Sequence, residues 1–213
     1  MGDSNLQEDT MNKGMIAALG CLAIIVIAVV ILGASAMGTY NGFVKEKQNV
    51  ESQWSQVGNA YQRRADLIPN LVATVKGYAS HESQTLEAVT ASRAQVGSIN
   101  VTKDTLNNPA EFQKYQQAQA GLTSALSRLM VVVERYPDLK ANQNFLELQS
   151  QLEGTENRIS VERKRFIDAV QTYNTKVNQF PGNLFARIFG FKEKAYFQGA
   201  AGSEKAPVVD FTK

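Results

Sequence analysis

Cysteine and histidine are nearly missing from this sequence of 213 residues, which contains only Cys21 and His81. A disulfide needs two cysteines, so no bridge can form within the chain. A zinc site needs about four Cys, His or carboxylate ligands, and a di-iron helical bundle needs two Glu-x-x-His pairs. One histidine and one cysteine cannot supply these ligand sets, so we expect no metal and no other cofactor.

The same shortage argues against catalysis. A serine or cysteine nucleophile is usually activated by a neighbouring base, most often a histidine. His81 stands beside Glu82 at a predicted helix start, where we expect a solvated side chain. The stretch Gly199–Gly202 (GAAG) has no strand before it, so it does not read as a phosphate-binding loop. The sequence therefore predicts no enzyme, no catalytic residue and no small-molecule substrate.

Neither an excess of one charge nor a strand pattern is present. Lysine and arginine total 22 against 20 aspartates and glutamates, and this net charge of +2 gives no argument for nucleic-acid binding. No stretch shows the alternation of apolar and polar residues that is typical of a half-buried strand. The fold class that remains is all-α.

A long charge-free run stands near the N-terminus. Met15–Met37 contains no charged residue and no proline, and its roughly 23 residues exceed the roughly 20 that span a bilayer core. Inside lipid the backbone must satisfy its own hydrogen bonds, so such a segment must be helical. We predict a transmembrane helix over residues 14–38, preceded by a short polar tail over residues 1–13.

Two other interpretations of this run remain open. A signal peptide could be cleaved after Ala36, because small residues at positions 34 and 36 fit the cleavage rule. The run is longer than a signal-peptide core, however, and the residues before it are acidic. Lipidation of Cys21 is the second interpretation, but a lipidated cysteine follows the apolar run, whereas Cys21 lies within it.

The charges beside the run set its predicted orientation. Lysine and arginine close to a span tend to stay on the cytoplasmic side. Lys13 precedes the run, and Lys45 and Lys47 follow it. This balance favours a tail outside and a domain in the cytoplasm.

Apolar residues after the run recur at steps of three and four, the spacing of helices packed on one another. The first stripe extends from Val50 to Tyr78, and Pro69 should kink this helix near Ala65 without breaking it. Further helices are predicted from a Ser80 cap, from Asn108-Pro109, and from about Ala141 to Pro181. These helices predict an elongated antiparallel four-helix bundle over residues 43–182.

Four motifs give the chain a family resemblance. They are Tyr61–Leu71 (YQRRADLIPNL), Ser127–Asn142 (SRLMVVVERYPDLKAN), Gly154–Ile159 (GTENRI) and Phe180–Gly190 (FPGNLFARIFG). In these motifs the sequence resembles the bacterial LemA family. The resemblance implies a single N-terminal membrane helix with its tail outside, a helical domain, a place in the bacterial cell membrane, and no defined catalytic residue.

Two charged residues interrupt otherwise apolar stripes. Arg64 lies on the first predicted helix and Glu162 on the fourth. If residues 43 and 180 share one level on antiparallel helices, the two side chains stand within about one turn of each other. We predict that Arg64 and Glu162 form a buried or half-buried pair. The alternative is that each side chain turns outward into water.

The segment over residues 183–197 mixes aromatic rings with cations, which suits a membrane interface. The bundle geometry returns it to the level of the transmembrane helix. We predict that it rests on the bilayer through Phe185, Arg187, Phe189, Phe191, Lys192 and Lys194. Alternatively, it caps the bundle or forms a subunit contact. Residues 198–213 form a disordered tail in this prediction.

These features give three hypotheses for function. The first is a membrane-anchored scaffold or adaptor whose partners are the lipid bilayer, copies of itself or other membrane proteins. The second is a membrane-remodelling or envelope-stress component that acts on lipid. The third is an enzyme of unknown type, which the sequence supports least.

Overall fold

A computed structural model describes the backbone of residues 3–99 and 102–197, and the side chains of residues 19–99, 102 and 105–197. The predicted tail over residues 198–213 lies outside the described residues. The described chain is helical and contains no strand. Its helices are α1 (Asp3–Tyr78), α2 (Ser83–Ser98), a 3-10 turn (Lys103–Asn107), α3 (Pro109–Val133), α4 (Pro137–Lys140), α5 (Gln143–Asn178) and α6 (Gly182–Phe189).

Helix α1 carries the apolar run and continues into the folded domain. Its side chains from Leu19 to Met37 are almost all exposed, including ten large aliphatic ones. The part Leu19–Tyr78 contains a window long and apolar enough to cross a membrane. So much contiguous apolar surface is rare on a protein in water, whereas lipid accommodates it.

The core lies on two levels along the helices. Near the apolar run, aromatic rings from three helices and from the segment after α6 meet: Trp54 lies 5.1 Å from Phe166, and Phe112 lies 5.0 Å from Phe197, measured between ring centroids. Farther away the core is mainly aliphatic, and its buried residues include Ile68, Leu71, Val75, Leu122, Leu129 and Phe145. The predicted stripe of α1 is therefore its buried face from Val50 to Val75.

Helix ends follow their capping residues. The Asn108 side chain accepts hydrogen bonds from the amides of Ala110 and Glu111, as the Asn-Pro start predicted. The Ser80 cap is wrong, because α2 begins at Ser83 and Glu82 precedes it. The Glu82 carboxylate instead accepts hydrogen bonds from Arg135 and from the Tyr136 hydroxyl, which follow helix α3.

Pro69 lies inside α1, and the helix continues past it. Proline has no N–H, so the carbonyl of Ala65, four residues earlier, loses its usual donor. Arg93 of α2 supplies a replacement, because its Nε donates to the Ala65 oxygen at 2.9 Å. A buried carbonyl without a donor would cost stability, and here a neighbouring helix satisfies it.

Helix α5 runs antiparallel to α1. Lys176, near the end of α5, binds Glu46 at 2.5 Å, while Glu156, earlier on α5, binds Arg64 at 2.6 Å. Helix α2 packs on both α1 and α3. These contacts hold the domain part of α1 between α2 on one side and α5 on the other.

The Arg93 contact predicts a coupling with Pro69. Arg93→Ala should lower the unfolding free energy by about 1 kcal/mol, because the Ala65 carbonyl loses its donor. In a Pro69→Ala background the new N–H can serve that carbonyl, so the same change should cost less. Denaturant unfolding of the full chain in detergent, followed by Trp54 fluorescence, measures both. Equal costs in the two backgrounds would show that Arg93 acts only by packing.

Candidate functional site

Arg64 is the largest fully buried side chain of the described residues, with 1% of its surface exposed. It extends from α1 to two other helices. Its Nη1 donates to Glu156 Oε1 at 2.6 Å and to Thr123 Oγ1 at 3.0 Å. Its Nη2 donates to Gln119 Oε1 at 2.5 Å. One guanidinium thus joins α1, α3 and α5, and we call these four residues the arginine cluster.

The predicted partner of Arg64 is wrong. Glu162 is buried, but it accepts from Arg165 of its own helix at 3.2 and 3.3 Å, and Arg158 lies 4.0 Å away. Both Glu162 and Glu156 lie within about a turn of Arg64 along the helix axis, so height alone could not choose between them. Glu156 lies at the margin of the apolar stripe, with a side chain 38% exposed. A carboxylate that keeps some water costs less to pair than one that is wholly buried.

Two tyrosines enclose the arginine on its apolar side. The Arg64 Cζ lies 5.2 Å from the centroid of the Tyr61 ring, which meets the Tyr115 ring edge to face at 5.8 Å. Burial raises the pKa of Tyr61, against a smaller opposing effect of Arg163 and Arg64. Burial raises the pKa of Tyr115 to about 12, and the Tyr61 phenol adds to this rise. Neither phenol can therefore serve as a base near neutral pH.

A groove of about 770 Å³ opens beside the arginine cluster, between α1 and α2. Trp54, Tyr61 and Tyr115 give it an aromatic wall, and Arg93 lies on its other side. The Gln119 side chain also borders the groove, but its Nε2 is buried and has no hydrogen-bond partner in bonding geometry. The Gln119 amide nevertheless lies close enough to the Tyr115 hydroxyl to oppose the rise in the pKa of Tyr115. The groove is polar and aromatic, and among its described lining residues no nucleophile stands beside a base.

The described side chains also contain no group of three His, Cys, Asp or Glu residues that could hold a metal ion. His81 is exposed in the turn between α1 and α2. The arrangement around Arg64 can therefore join helices and fix their register. It offers no feature of acid–base or metal chemistry.

The predicted membrane segment divides into two parts. Residues 191–197 have no regular secondary structure and lie against the domain. Lys194 is only 6% exposed, and its Nζ hydrogen-bonds to the Asn107 side chain. Asn174 of α5 holds the Lys194 backbone through both its amide atoms, at 2.9 and 3.0 Å. Phe197 enters the aromatic core. The prediction that Lys194 faces lipid is therefore wrong, because α5 and the 3-10 turn enclose it.

The first part, α6, lies beside the start of the domain in α1. Phe191, which follows α6, packs on Phe43 at 4.9 Å and is half-buried, as is Phe185. Phe189 is more exposed and meets Tyr40 at 5.2 Å. The two cations Arg187 and Lys192 are exposed. Of the predicted contact set, Arg187, Phe189 and Lys192 are thus the residues left accessible.

Three exposed apolar residues of this region were outside the predicted contact set: Phe180, Leu184 and Ile188. Leu184 and Ile188 are four residues apart and so lie on one face of α6. That spacing was present in the sequence. It could not show which face of so short a helix packs on the domain, because apolar residues occupy most of its circumference.

Comparisons with known proteins identify the family of the chain. The sequence profile of the LemA family matches residues 53–211. Magnetosome protein MamQ 2 of Paramagnetospirillum magneticum is 30% identical over 88% of this chain and 74% of its own length. Magnetosome protein MamQ of Magnetospirillum gryphiswaldense is 27% identical over the same shares, and Protein LemA of Metamycoplasma hominis is 23% identical over 77% and 71%.

The folded part and the exposed apolar helix define a helical protein with one candidate membrane span. The chain belongs to the LemA family. The resemblance drawn from the four motifs is therefore confirmed.

The arginine cluster predicts an asymmetric cost of substitution. Glu156→Ala should lower the unfolding free energy by about 2–4 kcal/mol, because it leaves a buried guanidinium without a carboxylate. Arg64→Met should cost less, since Glu156 can turn into water. Glu153→Ala, an exposed control one turn away, should stay within about 0.5 kcal/mol of wild type. Denaturant unfolding measures the unfolding free energies of all three variants. Equal losses for the Glu156 and Glu153 substitutions would contradict the buried ion pair between Arg64 and Glu156.

The raised pKa of Tyr115 predicts a loss of stability in alkali. The folded state keeps the phenolic proton up to about pH 12, while the unfolded chain releases it near pH 10. Stability from this group is complete below pH 10 and falls by about 1 kcal/mol per pH unit between pH 10 and 12. Tyr115→Phe should remove this part of the dependence of unfolding free energy on pH. The part that comes from lysines, which also titrate in this range, should remain. Unfolding curves at pH 9, 10 and 11 test this, and identical slopes in both proteins would refute it.

Proposed function

We propose that this protein is a membrane-anchored, non-catalytic helical scaffold that holds copies of itself or other proteins at the bacterial cell membrane. One observation carries the proposal. Helix α1 passes without interruption from the exposed apolar run into the domain core, as the single stretch Leu19–Tyr78. The domain is therefore an extension of the anchor, with no flexible linker between them.

This continuity supports a spacing and presenting role. From Met37 to Tyr78, α1 rises by about 60 Å. Two contacts fix the start of this stretch: the Glu46–Lys176 ion pair and the contact of Tyr40 with Phe189. A helix fixed in this way would carry its bound partners at a set distance and angle from the bilayer.

The proposal includes the elongated antiparallel four-helix bundle. We propose that the domain part of α1 together with α2, α3 and α5 forms it, and the arginine cluster and the two core levels support this arrangement. A groove of about 460 Å³ between α3 and α5 offers a surface to a partner. Its lining is apolar at the base and acidic at the rim: Leu126, Met130 and Leu152 with Glu153 and Glu156.

The proposed sidedness places the domain in the cytoplasm. Lys45 and Lys47 follow the apolar run, and both are exposed. Cations at this position favour the cytoplasmic face. Protease treatment of intact cells tests this, because a cytoplasmic domain is protected until the cells are opened.

Membrane remodelling is the second candidate. The exposed apolar residues of α6 favour it, since a helix inserted at one leaflet can bend a bilayer. The name of the magnetosome relatives supports an organelle-related role only by analogy. An enzyme remains the weakest candidate, because the described site has no catalytic constellation.

The scaffold proposal predicts a partner contact that depends on the α3–α5 groove. Cross-linking of the full chain in membranes should give a stable homo-oligomer or a defined complex. Ser127→Arg should weaken this product, because Ser127 lines the groove. Gly121→Arg, on the exposed opposite side of α3 where a side chain meets open space, should not.

Three outcomes contradict this proposal. A chain that stays monomeric and uncross-linked at native membrane density is not a scaffold. Deformation of vesicles by the reconstituted full chain, without oligomers, supports remodelling. Turnover of a substrate that is lost on changing the arginine cluster supports an enzyme.

A further inference from the structure

Helix α6 lies beside α1 at the level where the apolar run ends. Tyr40 contacts Phe189, the last residue of α6, and also Phe191 at 5.7 Å. Phe43 contacts Phe191 at 4.9 Å. Tyr40 stands three residues, or about 5 Å along the axis, beyond Met37, the end of the apolar run. Amphipathic helices on membranes lie at about this depth, near the boundary of headgroups and acyl chains.

The position of α6 on the domain is fixed at its start. Gly182 is buried, and a Cβ at this residue would lie 2.3 Å from the carbonyl oxygen of Lys176 and 3.4 Å from the Phe43 ring. Only glycine allows this close approach of α6 to α5. Ala186, one turn later, is also buried. Gly182 and Ala186 therefore mark the face of α6 that packs on the domain.

The opposite face is apolar and uncovered. Leu184 is 53% exposed and Ile188 is 72% exposed, and Phe180, just before the helix, is 75% exposed. The Leu184 and Ile188 side chains point away from the Gly182–Ala186 face, since residues two positions apart lie on different sides of a helix. Arg187 lies beside them and is exposed. Burying large apolar side chains stabilises a helix in contact with lipid.

The charges around this surface are mainly positive. Arg187, Lys192, Lys45 and Lys47 are exposed at the end of the domain next to the apolar run. Glu46 forms an ion pair with Lys176, and the Glu193 carboxylate accepts a hydrogen bond from the Asn178 side chain. Exposed cations this close to a span attract anionic lipid headgroups.

We propose that α6 lies on the bilayer surface as a second membrane contact, with Phe180, Leu184 and Ile188 at the headgroup boundary and Arg187 and Lys192 on anionic headgroups. The proposal rests on the anchoring part of the proposed function and not on any protein partner. Continuity with the exposed span argues for lipid as the occupant, because α6 meets α1 at Tyr40, about 5 Å beyond the end of the apolar run. The contact would fix the tilt of the domain, which a single helix leaves free.

A spin label on the full chain tests this. In a Cys21→Ala background, Ile188→Cys carries a nitroxide after reconstitution into vesicles of phosphatidylcholine and phosphatidylglycerol. We expect collisions with oxygen to exceed those with a water-soluble nickel complex, as for a site at the headgroup boundary. Val131→Cys, equally exposed on α3 but far from α6, should give the ratio of a label in water.

A second variant tests the charges. Changing Arg187 and Lys192 to Gln should remove the difference in label depth between anionic and pure phosphatidylcholine vesicles. Both side chains are exposed, so circular dichroism and Trp54 fluorescence should stay unchanged. Changing Leu184 to Ser should move the label at position 188 towards water.

Two results would overturn the proposal. A water-like ratio at position 188, equal to that at position 131, would show that α6 does not touch lipid. Protection of the label from both reagents that disappears when the protein is diluted in lipid would assign the surface to a second copy of the chain. A full chain that stays monomeric and uncross-linked in membranes would refute the scaffold and leave this test unaffected.

Discussion

The fold depends on one constraint, which is that helix α1 must suit two environments within one continuous helix. From Leu19 to Met37 its side chains are apolar on nearly every side, and from Phe43 onward only one face is. The change occurs within about two turns, at Tyr40 and Phe43, whose rings meet α6 and the chain after it. Because the helix does not break there, every later element is placed relative to the candidate membrane span.

The arginine cluster determines how α3 and α5 meet this central helix. An arginine in an apolar stripe is costly unless each part of the guanidinium finds an acceptor. The two terminal nitrogens of Arg64 find a carboxylate on α5 and an amide and a hydroxyl on α3, while its Nε is buried without an acceptor among the described residues. A slip of either helix by one turn would separate these groups. The cluster therefore contributes more to register than to net stability, which is the usual balance for a buried ion pair.

The periodic features of the sequence were predictable, and the features that depend on side-chain reach were not. Spacing of three and four gave the buried face of α1, and the Asn108-Pro109 pair gave the start of α3. The partner of Arg64 could not be derived, because an extended arginine reaches two possible glutamates on a facing helix. The burial of Lys194 could not be predicted either, because it depends on how Asn174 and Asn107 hold the segment after α6.

The stretch Tyr61–Leu71 shows why sequence motifs in this chain are compact. Within it, Tyr61 stacks on the arginine, Arg64 joins three helices, and the Ala65 carbonyl receives Arg93 because Pro69 has no N–H. Three neighbouring helices, α2, α3 and α5, therefore depend on residues within about two and a half turns of α1.

Two of the other motifs also supply residues that hold helices together. Gly154–Ile159 contains the carboxylate of Glu156 that Arg64 binds, and Phe180–Gly190 contains the glycine that lets α6 approach α5. A motif shared with a family is often taken as evidence of chemistry. Here the described contacts of these residues join α1 to α2, α3, α5 and α6. This connectivity explains how residues far apart in sequence can be specified together without a catalytic site, since a change in one of them disturbs helices that the others hold in place.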